Sequence, residues 1–143
     1  MSNAISSFGT LLQIGDGATT EVFTTIAEVM DISGPGLAQA TAEVTSHTST
    51  NRYREFIATV KDGGEISFDI NFVPTDGTHD PTTGLLSVFE SGASTNYQIV
   101  FPDTGSTTWA LPAIVTGFEP AEPVDGALTA SLTLKVSGQP TLT

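Results

Sequence analysis

Two histidines, 16 carboxylates and a single basic triplet are the side chains that invite a chemical reading of this 143-residue sequence. His47 and His79 both lie in polar, loop-like stretches. No His-Glu-x-x-His pattern joins them and the chain has no cysteine, so neither matches the donor sets that hold zinc. A pair of carboxylates performs glycosidase-type acid–base work when held at the right separation. With 16 in the chain, proximity is expected by chance, and no spacing singles out a pair. Asp16-Gly17, Asp76-Gly77-x-x-Asp80 and Asp125-Gly126 resemble pieces of calcium loops, yet none runs on to the bidentate glutamate of an EF-hand. Turn formation accounts for Asp-Gly pairs on its own. The glycine-rich stretches lack the Gly-Lys-Ser/Thr of a phosphate loop, and there is no Gly-x-Ser-x-Gly nucleophile elbow. These residues argue for no catalytic centre, no metal and no cofactor.

The basic triplet is more informative. Arg52 and Arg54 flank Tyr53 and precede Glu55, so two of the four basic residues fall within three positions. One reading is a solvated turn with a local ion pair worth ~0–1 kcal/mol. The other is a contact point, since Arg and Tyr are favoured at the energetic centres of interfaces. On a surface this acidic, an acidic patch on another copy is the natural partner.

Four basic against 16 acidic residues leave a formal charge of −12. The basic footprint that holds nucleic acid through its phosphates is missing. An anionic membrane surface is disfavoured for the same reason. No stretch approaches the ~18 apolar residues of a membrane span. Met1-Ser2-Asn3-Ala4-Ile5-Ser6 carries neither the charge nor the apolar run of a secretory signal, so the expected location is the cytoplasm where the chain is made. With 38% hydrophobic and 14% charged residues the composition is globular rather than disordered. The expectation is one domain over residues 1–143, with residues 1–10 as an N-terminal arm.

The elements follow from turn chemistry. Gly15-Asp16-Gly17, Ser33-Gly34-Pro35-Gly36, Asp62-Gly63-Gly64, Asp76-Gly77, Asp103-Thr104-Gly105 and Asp125-Gly126 punctuate short apolar and Thr-rich runs. Threonine is roughly one residue in six, and its β-branch suits a half-buried pleated surface. This layout predicts an all-β sandwich or barrel. Glu65–Val73 alternates Ile66, Phe68, Ile70 and Phe72 against Glu65, Ser67, Asp69 and Asn71. Leu128–Val136 alternates Leu128, Ala130, Leu132, Leu134 and Val136 against polar residues. Both read as strands with one face on a core and one on water. Further strands are expected at Val22–Val29, Phe56–Val60, Tyr97–Phe101 and Trp109–Phe118. Pro112 should place the last at an edge or a bulge. Phe56–Val60 and Glu65–Val73 read as a hairpin across Asp62-Gly63-Gly64. Asp80 as N-cap, Pro81 in the first turn and Gly92 at the end predict one short flanking helix carrying Leu85, Val88 and Phe89 on one face. Ala38–Arg54, polar and poor in large apolar residues, reads as a long mobile loop.

Several strings carry a resemblance. They are IAEVMDISGPG (Ile26–Gly36), EVTSHTSTNRYREFIATVKDGGEISFDINFVP (Glu43–Pro74), GLLSVFESG (Gly84–Gly92), FPDTG (Phe101–Gly105) and VTGFEPAEPVDGALTASLTLKVSGQP (Val115–Pro140). In this order they resemble a major tail tube protein of long, non-contractile tailed bacteriophages, a family related to the type VI secretion tube. The resemblance implies a β-sandwich subunit that assembles as stacked hexameric rings around a DNA conduit in the virion tail. It implies tape measure, terminator and tail tip proteins as partners, and double-stranded DNA that passes without being held. Carried onto this sequence, Ala38–Arg54 becomes an inter-subunit or inter-ring contact, which agrees with the reading of Arg52, Tyr53, Arg54 and Glu55 as interface residues. No family motif fixes which acids face the lumen; the polar face of the Glu65–Val73 strand, with Glu65, Asp69 and Asn71, is the expected wall, for which an outer solvated face is the alternative. The family supplies no catalytic residue. An acidic β-sandwich adhesion module, with calcium at the Asp-Gly turns, and another tail component of related fold remain the competing readings.

Overall fold

The computed structural model describes residues 2–143, so Met1 of the expected N-terminal arm lies outside the described residues. The elements in chain order are β1 (Leu11–Gly15), β2 (Phe23–Thr25), β3 (Val29–Ser33), β4 (Ala38–Glu43), β5 (Phe56–Asp62), β6 (Glu65–Asn71), α1 (Leu85–Ser91), β7 (Thr95–Val100), β8 (Thr108–Ala121), β9 (Thr129–Val136) and β10 (Thr141–Leu142). The main sheet has the order β2-β1-β7-β8-β9-β6-β3, with β10 added beside β8, and its pairings are antiparallel.

The sheet is rolled, and chain connectivity shows why. Its two edges, β2 and β3, would stand ~29 Å apart across six strand spacings of a flat sheet. Yet only Ile26, Ala27 and Glu28 separate Thr25 from Val29, a span of at most about 14 Å. The edges must therefore approach, and the concave face becomes the core. Ile66, Phe68 and Ile70 of β6, Leu132 and Leu134 of β9, Leu111 and Val115 of β8, and Tyr97 and Ile99 of β7 are all buried there. Leu85 of α1 plugs the same cluster, with Val88 packed beside it. Fully burying one such aliphatic side chain contributes about 1.5–3 kcal/mol gross. Sandwich-like, mostly β and flanked by one short helix, the architecture agrees with the expectation from the sequence.

One core group is left over. The Tyr97 hydroxyl is buried without a hydrogen-bond partner among the described residues, and burial pushes its pKa well above the usual tyrosine value. An unpaired buried hydroxyl costs free energy that a ring alone does not. Tyr97→Phe should therefore leave stability unchanged or raise it by up to about 1 kcal/mol in urea unfolding. A loss above that range would mean that the hydroxyl has a partner in solution.

Several expectations change. Pro112 lies inside the sheet, opposite Asn96 of β7, rather than on an edge or at a bulge. On its other side β9 ends at Val136 and β10 starts only at Thr141, and in that gap Ser137 N–H donates to the Pro112 carbonyl. The missing amide thus falls where regular pairing with β9 has just ended, and costs the ladder a single bond at its end. The bulge sits instead at Thr116, where the register with β9 shifts between Val115 and Gly117. Val22–Val29 is not one strand: β2 ends at Thr25, β3 begins at Val29, and between them Glu28 adopts a left-handed backbone, φ 60°. The helix starts at Leu85, four residues after Pro81, because Gly84 is extended. Asp80 caps the turn before it, accepting the amides of Thr82, Thr83 and Gly84. Gly92 closes the helix in the left-handed conformation, as expected.

The largest correction concerns residues 38–54. Ala38–Glu43 is strand β4 rather than loop, and the loop proper is residues 44–55, with a 3-10 turn at Thr50–Arg52. β4 pairs with β5 in a separate two-stranded ribbon, so β5 and β6 are not the expected hairpin. β6 pairs with β3 and β9 instead. The ribbon is an outgrowth of the β3–β6 pair, and both chains turn out of the sheet at one glycine corner. There Gly34 has φ 113° and Gly64 φ 73°, and a Cβ on Gly64 would strike the Gly36 carbonyl. Only glycine tolerates both the φ and the close approach.

Candidate assembly surfaces

The ribbon from Leu37 to Asp62 is a free arm. Apart from Ser49, every residue in it is exposed. Its apolar side chains Leu37, Val44, Tyr53, Phe56, Ile57 and Val60 stand between 45% and 74% exposed. Two strands with nothing packed against them are marginal in water. At the tip, Asn51 and Arg52 take left-handed backbones, φ 54° and 65°, which makes the bend tight. Ser46 and Ser49 tie it internally, and the Ser49 hydroxyl donates to Glu55 Oε2 at 2.6 Å. Glu55 N–H donates to Thr45 Oγ1 at 2.9 Å. Arg54 Nε lies 4.0 Å from Glu43 Oε1, with both side chains exposed. Among the described residues Arg52 has no such partner. The structure thus brings Arg52, Tyr53, Arg54 and Glu55 together at the arm's tip.

Charge is segregated between arm and body. Arg52, Arg54 and Lys61 balance Glu43, Glu55 and Asp62, so the arm is neutral and the whole −12 lies on the rest of the chain. There Lys135 is the single Lys or Arg, and it sits 3.5 Å from Asp62 at the arm's root. Sequence reasoning found the tip but missed the apolar flanks of the arm. The clustering of three of the four cations between positions 52 and 61 was the available signal.

The second surface is the outer face of β6, β9 and β8. Glu65, Ser67, Asp69 and Asn71 stand on it, opposite Lys135, Thr133, Ser131 and Thr129 of β9. The Ser131 hydroxyl donates to Asp69 at 2.8 Å, and Glu119 of β8 flanks Ser131 on the other side. Asn71 donates to Glu28 Oε2 at 3.1 Å. Glu65, Asp69 and Asn71 do share one face, and it is a sheet surface of hydroxyls and carboxylates with one lysine.

The histidines separate. His47 is exposed, whereas His79 is fully buried. Val73 N–H donates to His79 Nδ1 at 3.1 Å, which places the ring proton on Nε2, 2.7 Å from the Ala27 carbonyl. Ala27 N–H in turn donates to the Thr78 hydroxyl. The two polar groups of Ala27 are thereby clamped at the crossover that rolls the sheet. Among the turn aspartates, Asp16, Asp76, Asp80 and Asp103 are also occupied. Hydrogen bonds from Ala18 to Asp16, from the Thr78 hydroxyl to Asp76 and from the Thr107 hydroxyl to Asp103 hold these carboxyls below their ordinary pKa. Among the described residues no three His, Asp or Glu side chains gather as metal ligands.

Chains from phage-tail and contractile-injection structures share this fold. A chain from the tail of an empty gene transfer agent particle matches with TM-score 0.75 and 24% identity, covering 98% of this chain and 99% of that one. A chain from the sheath/tube terminator structure of an extracellular contractile injection system matches with TM-score 0.75 and 13% identity over 100% and 99%. The SPP1 tail tube matches with TM-score 0.66 and 14% identity over 93% and 75%. No curated protein sequence matches the chain. The family model of the lambda phage tail tube protein matches residues 10–143, and the chain belongs to that family. Its members are structural components of the phage tail and not enzymes.

Proposed function

We propose that this chain is the wall unit of a phage tail tube, assembled as stacked six-membered rings around a channel through which DNA passes. The neutral, apolar arm on a body of charge −12 is the observation that carries this reading. Subunits so acidic repel one another, so association has to come from apolar burial and local ion pairing. The arm holds both, in a ribbon that gains most of its stability when something covers it. In this reading Arg52, Tyr53, Arg54 and Glu55 are subunit contacts. The gene transfer agent tail whose chain shares this fold was refined with C6 symmetry, which supports six copies per ring.

The face carrying Glu65, Asp69 and Asn71 lines the channel. Six copies carry 6 × −12 = −72, the sign of the DNA. A wall of carboxylates and hydroxyls leaves phosphates no cationic partner, so no counterions are released and the duplex is not held. Screening confines the repulsion to about 8 Å at physiological salt, enough to act at the wall. Assembly takes place in the host cytoplasm, with tape measure, terminator and tail tip proteins completing the tail.

Negative-stain microscopy of concentrated protein tests the assembly, with tubes of six-fold end view as the expected result. Persistent monomers at every concentration would overturn it. For the channel, Glu65→Lys/Asp69→Lys should leave tubes intact, slow DNA ejection in assembled tails and make the tubes retain duplex DNA in low salt. Unchanged ejection would remove both residues from the lumen.

A further inference from the structure

The arm's own docking site is legible in the body. β6 and β9 run antiparallel with Glu65 opposite Lys135 and Asn71 opposite Thr129. The arm leaves the sheet at the Glu65 end. At the opposite end, β8 turns into β9 through residues 122–128, all exposed, with Glu122, Asp125 and Val124, which is 106% exposed. About 25 Å of strand separates the two ends. One end thus presents two arginines around a tyrosine, with Glu43 beside Arg54 and Glu55 held by the Ser49 hydroxyl so that Arg52 is its unpaired cation among the described residues, and the other presents two carboxylates around a bare valine. A copy has no means of joining its own ends, because the arm stands clear of the body.

Resting on the tube reading above, we propose that the arm tip of one copy seats on the β8–β9 turn of the next. Arg52 and Arg54 meet Glu122 and Asp125, and Tyr53 covers Val124. The contact is head-to-tail, using two different surfaces, and so propagates from copy to copy rather than ending at a dimer. Complementary charge sets its register, while like charges brought together oppose it. Lys61 and Lys135 lie at the arm's root, away from this contact, and Glu43 already neighbours Arg54.

The absence of cysteine from the chain makes a direct test clean. Tyr53→Cys/Val124→Cys in one chain should give, under mild oxidation, a reducible ladder of three and more copies on a denaturing gel. Either single variant should stop at dimers. A double variant that also stops at dimers, or does not cross-link, overturns the contact. In parallel, Arg52→Glu/Arg54→Glu and Glu122→Arg/Asp125→Arg should each raise the concentration needed for assembly about tenfold or more. The variant with all four changes should restore it. Reversals that leave assembly unchanged, or a fourfold variant no better than either half, also overturn the contact. Tubes without the ladder would sink this contact and spare the tube reading. A ladder without tubes or rings would do the opposite.

Discussion

A chain in which Gly36 is joined directly to Gly63, omitting residues 37–62, should fold almost unchanged and fail to assemble. The reason lies in the glycine corner. β3 and β6 are already paired neighbours, with Ser33 opposite Ser67, so the shortened connection closes an ordinary hairpin between them. The backbones of Gly36 and Gly64 pass in contact, and the new link has little distance to cover. Nothing from residues 37–62 belongs to the hydrophobic core. The melting temperature should therefore move by no more than about 4 °C, the shift that ~1 kcal/mol gives in a domain of this size. Assembly is another matter. Without the arm, the body keeps its charge of −12 and loses both arginines and most of the exposed apolar ribbon. Sedimentation should show monomers at concentrations where the intact chain forms tubes. Assembly of the shortened chain at the same threshold would mean that body surfaces alone carry the association.

The second large effect should come from His79→Leu. Leucine fills much of the space but offers neither an acceptor to Val73 N–H nor a donor to the Ala27 carbonyl. Leaving buried polar groups unpaired costs about 1–3 kcal/mol each. Both bonds are part-buried, so the expected total is about 2–4 kcal/mol, read as a lower urea midpoint at constant slope. His79→Gln keeps one donor and one acceptor and should lose less. The position matters because Ala27 and the left-handed Glu28 form the short crossover between the two edges of the sheet. The Phe72 ring, 6.1 Å from the imidazole, packs on the same junction. A loss below about 1 kcal/mol would show that water takes over both bonds.

Local patterns were legible where one interaction dominates. The alternation in β6 and β9 reports a sheet with one buried face, and both strands lie where the pattern puts them. Gly92 ends the helix because its left-handed backbone is a local steric matter. Asp16, Asp76 and Asp80 bind neighbouring amides, again within a few residues. The short strands β1, β2, β3 and β4 carry no such periodicity. Their pairing partners supply the hydrogen bonds, and those partners are distant in sequence. His79 looked like a loop histidine because its polar neighbours are turn residues; its burial comes from a chain segment 52 positions away.

The sequence by itself determined the class of molecule: an acidic, cysteine-free, β-rich chain whose cations gather at one spot. Composition and short-range alternation settle such properties because they do not depend on which strand lies beside which. Only the tertiary structure decided that the expected loop is half of a ribbon, that Pro112 sits inside the sheet, and that the arm and the acidic turn stand at opposite ends of one ladder. Those facts depend on strand order and on the direction in which the chain leaves a sheet. They are set by pairing and close backbone packing between residues far apart in sequence, which no local pattern encodes.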